Sequence, residues 1–157
     1  MTDLADLLVG TGAVGAAVVG GVLYAFSAFG MPGLRNAEPR VGMAAMQEMN
    51  RMAPRAPLVV PLMLTAALSA GLAVAAVLGR VDDRWWVLAG CLLYLAAFAI
   101  TVAFHVPRNE ALDRVDVHGP DAVEAWHQYA GAWVRWNHVR SAAAIAGSAS
   151  LVVALVR

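Results

Sequence analysis

Four stretches of this chain carry no charged side chain: Leu7–Leu34, Ala56–Gly79, Trp85–Phe104 and Ser141–Val156. A helix needs about 20 mostly apolar residues to cross a hydrocarbon core of ~30 Å. Hydrocarbon offers no water to a peptide group, so a single segment crosses it by closing its own hydrogen bonds as a helix. The runs are also longer than ordinary strands. They predict an all-α fold: a four-transmembrane-helix bundle forming a single domain over residues 1–157. The spans fall at about residues 7–31, 57–79, 85–105 and 137–156. Pro32 is expected to end the first helix. Pro57 and Pro61 fall in the first turns of the second, where amides lack partners anyway. The pair Trp85-Trp86 opens the third as an interfacial belt.

Composition agrees. The chain is 61% hydrophobic and 14% charged, against about 45–50% apolar in soluble domains. Its net charge is zero, and its basic residues are all Arg, spread along the chain. Without a basic patch there is no case for a nucleic-acid partner. Met1 to Asp6 holds two acids and no base, so the first run reads as a retained span and not a cleaved signal. The single Cys91 reads as a small buried hydrophobe.

The fourth run is too short. From Ser141 to Val156 it covers roughly 24 Å as a helix. The missing turn has to come from W-V-R-W-N-H-V-R, Trp133 to Arg140. That sets indoles, an amide, an imidazole and a guanidinium at or inside the membrane boundary, where polar groups are costly and point to function. At ~100° per residue, Trp126, Tyr129, Trp133, Trp136, Asn137 and Arg140 share one arc of a helix. An interfacial anchor would account for the Trp and Arg residues, but not for Asn137 and His138. A pocket wall accounts for more of the pattern.

The loops add to this. Met43, Met46, Gln47 and Asn50 occupy one face of a short amphipathic helix in the first loop. It is expected to lie at the interface or to cap the bundle, with Asn50 able to reach a pocket. Pro107 is expected to push Val106 out of helical geometry. Asp121 and Glu124 form a capping-box pattern, starting an extended fourth helix. The first loop, the second loop and its helical continuation hold eight Arg against three at the other end. The positive-inside rule then puts both larger loops in the cytoplasm and both termini outside. Small residues recur at fourfold spacing as Gly12, Ala16, Gly20 and as Ala13, Ala17, Gly21, Ala25. Bundle packing explains them, and homo-oligomerisation through one row is the alternative.

No H-x-x-x-H or C-x-x-C spacing occurs, so local sequence supports no metal site. A transition metal gathered across the fold by His105, His138 and Glu48 stays open. A transporter is disfavoured, because the centres of the first three spans hold no ionisable side chain.

Taken together, G-G-V-L-Y-A-F-S-A-F-G-M-P (Gly20–Pro32), A-M-Q-E-M-N-R (Ala45–Arg51), V-P-R-N-E-A-L (Val106–Leu112) and W-V-R-W-N-H-V-R (Trp133–Arg140) resemble the anthrone oxygenase family of small four-helix membrane proteins. The resemblance implies oxidation of an anthrone-like lipophilic aromatic to a quinone with O2, without a metal or flavin cofactor. The positions it carries over are Asn50, Pro107, Asn109, Trp136, Asn137, His138 and Arg140. The family pattern has Asn where this chain has His105. On this reading His138 is the first choice of base and His105 the second. Asn50, Asn109, Asn137 and Arg140 hold developing negative charge. Trp133 and Trp136 stack on the substrate, with Pro107 and His105 beside it. The competing reading is a non-enzymatic membrane binding or accessory protein.

Overall fold

The computed structural model describes residues 3–55 and 57–157; Ala56, the first residue of the second uncharged run, lies outside them. The fold is all-α, 88% helical. In chain order the helices are α1 (Asp3–Ala25), α2 (Met31–Asn36), α3 (Pro39–Met52), α4 (Val59–Val77), α5 (Arg84–Ile100), α6 (Val106–Asp113) and α7 (Ala122–Val156). Four continuous helical stretches are long and apolar enough to cross a membrane: Leu4–Asn36, Val59–Val77, Arg84–Asp113 and Ala122–Val156. The chain is an integral membrane protein by that measure.

The spans form a ring in which α7 packs on α1 and α5, while α4 closes the circle between those two. Small residues set the distances. A Cβ on Gly90 of α5 would lie 2.9 Å from the Gly147 carbonyl oxygen of α7, and one on Gly147 would lie 2.9 Å from that of Gly90. The two backbones touch because neither residue has a side chain. In the first row, Ala16 is fully buried and Gly20 abuts Ile145 and Ala144 of α7. That row therefore serves packing within the bundle, whereas Ala17 and Gly21 of the second face outward. The α4–α5 turn is closed by Gly79 at φ +66, with Arg80 N–H donating to the Ala75 carbonyl at 2.9 Å. This is the six-to-one bond of a glycine-terminated helix.

Two expectations about proline are corrected. Pro32 does not end the first helix, and Pro107 does not force Val106 from helical angles, since Val106 has φ −55 and ψ −55. Each proline follows a single π-helical turn, Phe26–Gly30 and Thr101–His105. The residue just before each proline donates five residues back: Met31 N–H to the Phe26 carbonyl, and Val106 N–H to the Thr101 carbonyl. An inserted residue relieves the clash that a proline ring makes with the carbonyl four residues earlier. The helix therefore continues through the proline instead of stopping at it.

The fourth helix is 35 residues long, so the short apolar run is only its second half. Asp121 precedes it but makes no side-chain cap, and the expected capping box does not form. Glu124 instead accepts from Gln128 Nε2 at 2.6 Å. In the first loop, α3 buries Met43, Met46, Gln47 and Asn50, the face its spacing predicted. Gln47 Nε2 donates to the carbonyls of Leu112 and Val115, both at 2.9 Å. That amide clamps α3 to the second loop across the end of the bundle.

Candidate functional site

A cavity of about 540 Å³ lies at the loop end of the bundle. Its apolar walls come from α1 (Val19, Leu23), from Phe26 in the π turn after it, and from the start of α4 (Leu58, Val59, Leu62). Among the described residues its polar lining consists of Asn50, Thr101, His105, Asn109, Trp133 and Arg140. The two π turns supply Phe26, Thr101 and His105, and α7 supplies Trp133 and Arg140.

Arg140 is 7% exposed. Its Nε donates to Asn137 Oδ1 at 2.8 Å and its Nη1 to Thr101 Oγ1 at 3.2 Å. Both acceptors are neutral, and among the described residues no carboxylate pairs with it. Asn137 is fully buried. Its Nδ2 donates to the Leu23 carbonyl at 2.8 Å and to Ser27 Oγ at 2.6 Å. Thr101 passes its own proton to the Ala97 carbonyl at 2.9 Å, which leaves its lone pairs toward Arg140.

His105 is 1% exposed. Its Nδ1 lies 3.4 Å from the Ile100 carbonyl, while Nε2 has no hydrogen-bond partner. A proton on Nδ1, facing that carbonyl, makes Nε2 the lone-pair nitrogen. The Trp133 main chain lies within weak hydrogen-bonding reach of the imidazole, and the Arg140 charge acts on it electrostatically. The imidazole meets the Trp133 indole edge-on, with centroids 5.3 Å apart at 88°. Trp133 Nε1 is likewise buried without a partner, and its ring touches Phe26 at 6.0 Å and Arg140 at 5.4 Å. Buried polar atoms are nearly always satisfied. Two unsatisfied ones belong to residues that line a single cavity, beside a cation whose hydrogen-bond acceptors are both neutral.

A second polar group lies toward the loops. Tyr129 Oη donates to Asn109 Oδ1 at 2.8 Å. Asn50 Nδ2 donates to Asp113 Oδ1 at 3.2 Å and approaches the Asn109 carbonyl at 3.5 Å. These bonds fix α6 against α3 and α7 and place Asn50 and Asn109 at the cavity's loop side.

Asn50, Asn109, Trp133, Arg140 and His105 of the expected residues thus line one cavity, with Asn137 directly behind Arg140. His138, Trp136 and Pro107 do not line it. His138 and Pro107 are exposed. Trp136 is 42% exposed and covers Phe104 at 4.9 Å, forming an outer layer to the site. His105, His138 and Glu48 do not converge either. Glu48 is exposed and pairs with Arg51, and the described residues contain no cluster of three His, Cys, Asp or Glu side chains able to hold a metal. Sequence reasoning missed Ser27 and Thr101, whose hydroxyls are unremarkable inside apolar runs. The available signal was the proline five or six residues beyond each.

Residues 49–150 match the sequence model of a family described as anthrone oxygenase. No curated protein and no solved structure matches the chain.

Proposed function

Because the chain belongs to the anthrone oxygenase family, we propose that its cavity oxidises a lipophilic polycyclic phenol of the anthrone type with O2, and that His105 and Arg140 carry the chemistry. The observation behind this is that the buried Arg140 guanidinium, paired with no carboxylate among the described residues, lines the same apolar cavity as His105, whose buried Nε2 lacks a partner. Charge without a partner at such depth is strongly unfavourable. An acidic aromatic ligand supplies the missing anion.

In the proposed reaction, His105 Nε2 removes a proton from the central methylene of the bound anthrone. The electron pair moves onto the ring system and the carbonyl oxygen, which becomes an enolate beside Arg140. Asn137 and Thr101 hold the guanidinium in place before the charge develops, as a preorganised oxyanion site does. The electron-rich carbanion gives an electron to O2, and the two radicals join at the former methylene carbon as a peroxide. His105 returns its proton, the remaining C–H is lost, and the O–O bond breaks. One methylene and one O2 become one carbonyl and one water. The carbanion is itself the reductant, so the sequence requires neither metal nor flavin. Trp133 packs against the flat substrate, while Asn50 and Asn109 face its far end.

The Arg distribution supports the two larger loops lying in the cytoplasm, which sets the cavity near the inner leaflet. The test is O2 uptake in nanodiscs with a hydroxylated anthrone, above the spontaneous rate. Uptake by the wild type that is lost in His105→Gln supports the reading. Uptake no faster than the spontaneous rate removes it.

A further inference from the structure

The cavity has an exposed side, and its chemistry is one-sided. The exposed lining residues are Met49 and Met52 at the end of α3, Ala53 and Pro54 in the turn after it, and Val106 at the start of α6. All are uncharged. Met49, Met52 and Val106 are 41%, 57% and 43% exposed, a high cost for apolar side chains in water. Charged residues are close by in sequence yet stay off this rim. Glu48 and Arg51 pair with each other, Arg55 donates to the Arg51 carbonyl, and Arg108 lies over the Phe104 ring at 3.6 Å. None of the four lines the cavity. Leu58, Val59 and Leu62 continue the apolar lining, while His105, Trp133 and Arg140 are buried. A mouth that opened to water would be ringed the other way, with its polar groups outermost.

We infer that the cavity is loaded sideways from the bilayer, through a mouth rimmed by Met49, Met52, Pro54 and Val106, so that its ligand is a flat aromatic molecule dissolved in lipid and not one captured from water. This rests on reading the cavity as a site for a lipophilic ligand, and it is independent of the oxidation itself. Methionine suits such a rim, because its unbranched thioether adapts to aromatic faces of differing shape.

The test uses binding rather than turnover. The full chain in nanodiscs is mixed with vesicles carrying the fluorescent probe 1-aminoanthracene, and the binding rate is followed by stopped flow as the lipid amount varies at constant total probe. Loading from the bilayer makes the rate follow the mole fraction of probe in lipid. The double variant Met52→Glu, Val106→Glu should slow loading about tenfold, and Met52→Leu, Val106→Leu should stay within about twofold of wild type. A rate that follows the free aqueous probe instead overturns the inference, whatever the variants do. So does a correctly folded Glu variant that loads as fast as wild type, and so does a wild-type chain that never binds the probe. Probe binding through the rim without any O2 uptake would keep this route and remove the reaction.

Discussion

Asn137 holds Arg140 from one turn away on the same helix, its Oδ1 accepting the guanidinium Nε at 2.8 Å. The other end of that amide is anchored to α1, through the Leu23 carbonyl and Ser27. Position and charge are thus separated: α1 fixes the amide, and the amide fixes the cation.

Substituting Asn137 should therefore affect both stability and activity. Asn137→Ala leaves the Leu23 carbonyl and one face of Arg140 unsatisfied, at about 1–3 kcal/mol for a buried group. Thermal unfolding in detergent reads the first effect and O2 uptake the second. Asn137→Ala that unfolds like wild type and still turns over normally would show that α1 does not position the guanidinium.

Arg140 should matter more to rate than to assembly. Arg140→Met removes a buried charge that lacks a counter-ion but leaves the buried Asn137 Oδ1 without its donor, so the two effects oppose and the net change in stability should stay within about 1–3 kcal/mol. The loss in kcat should be about 10²–10³, the usual cost of removing an oxyanion donor. Arg140→Lys should recover little, since a single ammonium cannot hold Asn137 and Thr101 and still face a ligand in the same geometry. Full recovery by Lys would mean that charge alone suffices.

The two histidines give opposite expectations. His105→Gln should lower O2 uptake by about 10²–10⁴, the range for a lost general base. His138→Gln should stay within about twofold, because that side chain is exposed and surface changes of this kind are nearly neutral. The reverse pattern in parallel assays would return the catalytic role to His138.

Pro107 offers a test of the π turn. Pro107→Ala restores an N–H, which can bond four residues back and convert Thr101–His105 to α-helix. Losing the extra residue would turn the preceding residues, His105 among them, about 100° round the helix axis. Helix content by circular dichroism should hold or rise, while probe binding and O2 uptake fall. Unchanged binding would show that packing, and not the proline, maintains the turn.

Much of the frame was legible because membrane spans announce themselves by length and lack of charge. The inward face of α7 was legible too: Trp133, Asn137 and Arg140 fall at helical spacing, and all three are buried. His138 turns away from the cavity for the same geometric reason. It follows Asn137 by one residue, about 100° around the axis, so an inward Asn137 turns His138 out. Trp136 sat at the edge of the expected arc and lies at the edge of the site. The prolines misled because residue-by-residue rules treat them as stops, and the added π residue that lets a helix pass them has no signature of its own. Ser27 and Thr101 were hidden with it.

Those two turns have a consequence for how this site can vary. Each sits where a helix carries one residue more than regular winding needs, and each delivers a hydroxyl to the Trp133–Arg140 segment. The close contact of Gly90 with Gly147 lies elsewhere along the same helices and does not depend on them. Side chains in the surplus turns can therefore be exchanged, and the reactivity of the cavity retuned, while the helix seams that keep the protein in its membrane stay as they are.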